Sequence, residues 1–341
     1  MDNEKAPIRI LERVHVGNDF QWVLVRGNDR SLPVLLVVQA GPGFPLIHEA
    51  DSLQRNLGWE DEFRVVYWDM RGCGKSAHPN VSFGARPLER LALDIREMIS
   101  FLLERLEAES LFLLGFSLGA SLSILSAHRS PEGIRALVGV GPDVCIPESD
   151  LALQGFLDGE AVRRNHLRAL KDLKRIGDPP YLNSSSFMIR AKWATEFGGI
   201  HRKDRYGALL RKNLYRLFSS SDYSLKEAIR ALGAIASVQE ALLPEMKDLD
   251  LFRQAPFLKV PVFLFQGRYD AVAPSVLTQR YFDLLEAPHG KNLLWFVSSA
   301  HMPHYEEPNR FAGILKEVRI RTQEGKSLAL KLSIDNHLFS A

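Results

Sequence analysis

Apolar and polar positions alternate from Ile8 to Val16 and again from Phe20 to Arg26, with Gly17-Asn18-Asp19 between the two runs. A period of two joined by a Gly/Asn/Asp turn predicts an antiparallel hairpin at a sheet edge. The pattern then changes. Leu32 to Gln39, Phe63 to Asp69, Ser110 to Leu114 and Ile134 to Val140 are nearly unbroken apolar runs, the mark of strands buried on both faces. Leu88, Leu91, Ile95, Met98, Leu102 and Leu106 recur at steps of three and four, which predicts an amphipathic helix. Strands alternating with helices predict an α/β chain with a mostly parallel twisted sheet flanked by helices.

The alternation stops at about Cys145. Up to Ala255 the chain shows helical patterns, at Ala161 to Ile176, Ser186 to Glu196, Ala208 to Phe218 and Leu225 to Glu240, and no strand. Sheet patterning returns with a strand at Val260 to Gln266, a helix from Pro274 to Leu285, a strand at Asn292 to Ser298 and a helix from Pro308 to Gln323. The expected organisation is a core of residues 1–143 and 256–326, a helical cap of residues 144–255 inserted after the sixth strand, and a tail of residues 327–341. The alternation of Ser327 to Ile334 fits either an edge strand or a disordered tail.

Composition narrows the class. With 341 residues, 46% hydrophobic and 25% charged, the chain reads as an ordinary globular protein able to bury a large core. A net charge of +2 gives no overall field for nucleic acid or a membrane surface. Cys73 and Cys145, far apart, suggest neither a disulfide framework nor a zinc site. The first residues lack a basic segment followed by an apolar one, and no apolar run is long enough to span a bilayer. The expectation is a reduced, cytoplasmic protein, its oligomeric state left open.

The chemistry centres on Gly115-Phe116-Ser117-Leu118-Gly119, directly after a predicted strand and directly before a helix. Gly-x-Ser-x-Gly in that setting is a nucleophile elbow, a tight turn that lifts the serine hydroxyl above the sheet. The pentapeptide alone is common by chance, so its partners decide its meaning. A serine needs a base, and the base needs an orienting carboxylate. Asp270 follows the Val260–Gln266 strand and His301 follows the next one, giving Ser117, Asp270 and His301 in chain order, each at a strand end. His304 competes for the role of base. His301, nearer the strand end, is preferred, and no acidic or cysteine partner at ligand spacing supports a metal there. Oxyanion donors are expected from the backbone N–H of Leu118 and of Gly41, in the Gln39–Gly43 loop.

Gly72-Cys73-Gly74-Lys75-Ser76 is similar to the end of a phosphate-binding loop, but Asp69 stands where that loop needs its first glycine. Nucleotide binding is therefore rejected; Asp69 and Arg71 are expected to brace the loop beneath the site. Residues 161–216 hold fourteen Lys/Arg against four Asp/Glu, which reads either as a lid steering anionic substrates or as solvated helix faces. Aromatics of this region, Trp193 among them, are expected to line a pocket or to pack the cap's own core.

Together these segments resemble the proline iminopeptidase-like branch of the α/β-hydrolase superfamily. Its His-Gly-Gly-Pro-Gly oxyanion loop, Asp-x-Arg-Gly-x-Gly-x-Ser segment, elbow, Gly-Arg-x-Asp acid loop and terminal histidine correspond to Gln39–Gly43, Asp69–Ser76, Gly115–Gly119, Gly267–Asp270 and His301. The resemblance implies Ser117 as nucleophile, His301 as base, Asp270 as its orienter and Gly41 with Leu118 as oxyanion donors, without a cofactor. Two departures stand out: Phe116 and Leu118 replace the family's Gly and Trp at the elbow, and Gln39-Ala40 replaces His-Gly in the loop. Family aminopeptidases hold the free amino terminus with cap glutamates, so Glu196, Glu240 and Glu245 are candidates here, with Phe116 and Trp193 as further substrate contacts. The expected function is a serine hydrolase acting through an acyl-enzyme, aminopeptidase-like on short peptides. The alternatives are a carboxylesterase, lactonase or amidase on a small compound, anionic ones included, and a hydrolase-fold ligand-binding protein.

Overall fold

The eight apolar or alternating runs form one sheet. A computed structural model describes residues 6–324. Its strands are β1 (Ile8–Val16), β2 (Asp19–Gly27), β3 (Val34–Val38), β4 (Arg64–Asp69), β5 (Leu111–Phe116), β6 (Ile134–Val140), β7 (Val262–Gly267) and β8 (Lys291–Phe296), in the order β1-β2-β4-β3-β5-β6-β7-β8. The β1–β2 hairpin is antiparallel and joins antiparallel to β4; every other pair is parallel. This is the expected α/β class.

Both faces of the sheet are covered, and the strand period of two divides the apolar residues between them. Val34, Leu36 and Val38 of β3 join a cluster with α2 (Pro87–Arg105) and α3 (Leu118–Arg129), while Leu35 and Val37 join the opposite cluster with α1 (Ala50–Leu57). Burial on both sides explains why β3 reads as an unbroken apolar run. The 327–334 alternation lies outside the described residues.

Between β6 and β7 stand α4 (Ile146–Arg163), α5 (Leu167–Ile176), α6 (Ser184–Glu196), α7 (Tyr206–Ser219), α8 (Leu225–Met246) and the short α9 (Leu251–Gln254). Two sequence expectations change here. Ala161 to Ile176 is not one helix: Asn165 takes a left-handed φ of 48°, and His166 caps α5 by accepting from the N–H of Ala169. The chain also folds into α4 and α1, which the sequence analysis does not predict, although Ala50, Leu53 and Leu57 of α1 recur at helical spacing. Gly155 and Gly159 weaken α4's intrinsic propensity and blur its apolar period, so tertiary packing of Leu153 and Leu157 decides the helix.

The ends of the insertion are pinned side by side. Cys145 and Asp250 form an antiparallel bridge, Ile146 donates to Leu249 O at 3.0 Å, and Leu251 donates to Val144 O at 2.7 Å. The far half of α8 sinks Val238, Leu242, Leu243 and Met246 into the α2–α3 cluster, while Leu153, Leu157, Leu173, Trp193 and Phe197 form a separate small core. At the start of α8, Lys75 donates to Glu227 Oε1 (2.8 Å) and Asp222 O (2.7 Å), and Tyr223 donates to Asp69. Asp69 also accepts from the N–H groups of Leu46 (2.7 Å), Ile47 (3.0 Å) and Lys75 (2.8 Å). The Asp69–Ser76 segment is thus a polar hub joining sheet to insertion. Arg71, held by Asp94 at 2.6 Å and Asp19 at 3.0 Å, extends it. After the insertion come β7, α10 (Ser275–Leu284), β8, α11 (Pro303–Glu306) and α12 (Pro308–Gln323). Among the described residues no helix is long and apolar enough to cross a membrane.

Candidate active site

Parallel strands deliver their C-terminal ends to one edge of a sheet, and β5, β7 and β8 do so here. Ser117 follows β5 directly. Its φ of 52° and ψ of −124° lie in a region that L side chains rarely occupy, held by Ser117 N–H donating to Val140 O at 2.8 Å. The flanking glycines permit the turn. A Cβ on Gly115 would lie 2.5 Å from Gly119 O, and one on Gly119 would lie 2.2 Å from Gln39 O. We therefore expect Gly115→Ala to lower unfolding stability by about 1–3 kcal/mol through overpacking, measured by urea denaturation. An unchanged midpoint would mean that the turn can widen.

Asp270 is buried in the loop after β7 with both carboxylate oxygens engaged. Oδ1 accepts from the N–H of Val272 (2.9 Å) and Ala273 (2.8 Å), and Oδ2 lies 2.7 Å from His301 Nδ1. His301 stands in the loop after β8, which Glu306 and Glu307 tie down by accepting from Ala300 N–H (2.7 Å) and Ser298 N–H (2.9 Å). The insertion reaches the same loops: Ala271 N–H donates to Gly199 O at 3.1 Å and His301 N–H to Ile200 O at 3.0 Å. Burial pulls the His301 imidazole down, but the adjoining Asp270 carboxylate and, behind it, Asp143 outweigh burial and hold its pKa above the ordinary value. A histidine with Nδ1 on a carboxylate leaves Nε2 free to take a proton.

His304 is different. It is buried, its ring centroid 4.4 Å from that of Phe116, and burial drives its pKa down to about 3, far from that of a working base at neutral pH. Phe116 itself packs between His304 and Phe311 in the core cluster rather than standing free. Gly41 is set against Leu118, whose Cδ2 would be 3.0 Å from a Cβ placed there. Leu118 N–H, the first of α3, has no acceptor within its own helix.

The expected cap contacts are occupied elsewhere. Trp193 packs in the small core and donates from Nε1 to Asp172 at 3.2 Å, so it packs the insertion's own core. Glu196 pairs with Arg205 at 3.5 Å, Glu240 accepts from Ser184 N–H at 2.7 Å, and Glu245 accepts from Leu88 N–H at 2.7 Å. Much of the basic excess is paired too: Arg163 and Arg164 with Glu160, Lys192 and Arg175 with Asp172, and Lys212 with Asp204. Cys73 and Cys145 are buried free thiols, and burial pushes Cys73 up to about 12. Among the described residues, no three His, Cys, Asp or Glu side chains are grouped as a metal ion would require.

Three residues beside the site escaped the sequence reading. Asp143, directly after β6, is buried with Oδ2 at 3.5 Å from Ser117 Oγ, and burial raises its pKa to about 6. Asp150 of α4 and Arg190 of α6 form a buried ion pair whose charges act on Asp143. Gly141-Pro142-Asp143, an acid at a strand end, carries the same signal that singled out Asp270.

Comparison with known proteins places the fold. The alpha/beta hydrolase fold family matches residues 33–308. A probable aminopeptidase, YbaC of Bacillus subtilis, is 27% identical over 324 residues, covering 92% of this chain and 96% of the relative. A proline iminopeptidase of Saccharolobus solfataricus is 23% identical over 310 residues, covering 86% of each. Among solved structures, the fold is similar to a proline iminopeptidase of Mycobacterium smegmatis (TM-score 0.60, 16% identity, 93% of this chain and 99% of the other). It is equally similar to the esterase RhEst1 of a Rhodococcus species (TM-score 0.61, 15% identity, 92% and 98%). With the family match spanning most of its length, a sheet in the order β1-β2-β4-β3-β5-β6-β7-β8 and a serine on the turn after β5, the chain belongs to the alpha/beta hydrolase fold family.

Proposed function

We propose that this hydrolase works through a serine nucleophile and an acyl-enzyme, and that peptides with a free amino terminus are its substrates. The observation that carries the mechanism is the 2.7 Å contact between His301 Nδ1 and Asp270 Oδ2, on the loops after the second and third strands along the sheet from that of the elbow serine. Ser117 Oγ attacks the scissile carbonyl as His301 Nε2 takes its proton. The N–H groups of Leu118 and Gly41 receive the developing oxyanion. The imidazolium then protonates the leaving amine, and water activated by the same histidine releases the acyl group. Residues 144–255 act as a cap over this edge, registered on it by the Gly199 and Ile200 carbonyls. The substrate is a short peptide or small molecule, and no cofactor enters the cycle.

Aminopeptidase activity is supported by the names of the similar proteins, with amino-terminal proline as the leading substrate. One observation favours a second reading, a carboxylesterase, lactonase or amidase: the cap glutamates expected to hold an amino terminus have backbone or arginine partners of their own. Comparing a prolyl anilide with short-chain aryl esters decides between them. Turnover of the anilide that Ser117→Ala abolishes is the expected result. Turnover of esters alone would end the aminopeptidase reading.

A further inference from the structure

The serine-hydrolase reading uses one carboxylate, yet a second faces the same nucleophile. Asp143 lies at the end of β6, beside Gly141, whose backbone runs so close to the pair that a Cβ there would be 3.1 Å from His301 Nδ1 and 3.2 Å from Asp270 Oδ2. The Asp143 main chain is fixed independently, its carbonyl accepting from Ser121 Oγ at 2.9 Å. The side chain has no such anchor. Among the described residues, its one hydrogen-bonding contact is the 3.5 Å approach of Ser117 Oγ, loose for a hydroxyl–carboxylate bond, and Ser117 Oγ has no other.

A buried carboxylate is costly unless paired, so one kept beside a nucleophile calls for an account. We propose that Asp143 is a positioning residue of the Ser117–His301 pair: it receives the resting serine hydroxyl, and its charge joins that of Asp270 in favouring the imidazolium. This rests on the proposed serine-hydrolase function. The serine proton passes to His301 Nε2 and not to Asp143, whose charge then faces the imidazolium formed in the reaction. The charges facing Asp143 come from every element around it: His301 after β8, Asp270 after β7, Asp150 on α4 and Arg190 on α6. Three carboxylates against one guanidinium leave an excess of negative charge that a protonated His301 relieves. Arg190 is half committed already, its Nη1 on Asp150 and its guanidinium 4.6 Å from the Phe187 ring centroid.

Asp143→Asn isolates the charge, because it retains the shape, the Ser121 anchor and an acceptor for Ser117. The His301 imidazole is titrated by NMR in the full chain of the wild type, Asp143→Asn and Asp143→Glu. Asn should lower the His301 pKa by about one unit, the effect of losing a nearby opposite charge, and Glu should return it toward the wild-type value. The rate constant for labelling Ser117 with a fluorophosphonate should follow, its acid midpoint moving to lower pH in Asn and its plateau falling by about three- to tenfold as the base weakens. If Asn does not fold, the wild type decides: the Asp143 carboxyl carbon, followed by NMR, should show two inflections, one of them at the His301 pKa. A His301 pKa unmoved by Asn, or a single inflection, overturns the role of Asp143. Absence of labelling in the wild type instead overturns the serine-hydrolase reading and the role with it.

Discussion

Replacing Ser117 by alanine should abolish fluorophosphonate labelling and reduce kcat/KM by at least about ten-thousandfold, toward the millionfold seen when a nucleophile is removed from such a unit. The size follows from the elbow. The turn at φ 52° fixes Ser117 where no neighbouring hydroxyl can replace it, since Ser121 Oγ is turned to the Asp143 carbonyl and Ser123 Oγ donates to Gly119 O at 2.7 Å. The thiols offer no substitute either, with Cys73 buried and held at about 12. Alanine removes one hydroxyl from a buried position, so folding should survive. Labelling that persists in folded Ser117→Ala protein would place the nucleophile elsewhere.

Asp270→Asn should lower kcat by about a thousandfold to ten-thousandfold with little change in fold. The N–H groups of Val272 and Ala273 and the 2.7 Å contact of His301 all converge on this carboxylate. An amide turned to donate would meet Nδ1 as an acceptor and place the imidazole proton on Nε2, where the serine needs a base. Asp270 acts against burial to hold the His301 pKa above its usual value, so the wild type should lose activity as pH falls through that raised pKa. Without the carboxylate, burial is opposed only by the weaker action of Asp143, and the acid midpoint should move to lower pH. A log kcat/KM against pH plot for both proteins measures this. A residual activity near wild type would mean that another acid orients His301, and Asp143, the other carboxylate acting on that imidazole, is the one to test.

The hairpin of β1 and β2, the buried strands and the amphipathic α2 were legible because each reflects a local period, two or three to four, imposed by neighbours within one element. The serine, the acid and the histidine were legible because an elbow and two strand-end loops are local too, and a parallel sheet brings such ends to one edge whatever the distance along the chain. Helices α1 and α4 were not, since one is short and the other carries two glycines where packing outweighs propensity. The roles expected of Glu196, Glu240 and Trp193 depended on which way a helix face turns, and the contacts with Arg205, Ser184 and Asp172 answered that only in three dimensions.

By itself, then, the sequence determined the α/β architecture and the placement of Ser117, Asp270 and His301 at strand ends, because both are written in spacing along the chain. The tertiary structure alone decided the charge around them. Asp143 comes beside Ser117 because β6 pairs with β5, and Asp150 and Arg190 arrive from helices of the insertion. Desolvation and Coulomb forces depend on distance through space and on exclusion of water, and neither can be read from separation in sequence.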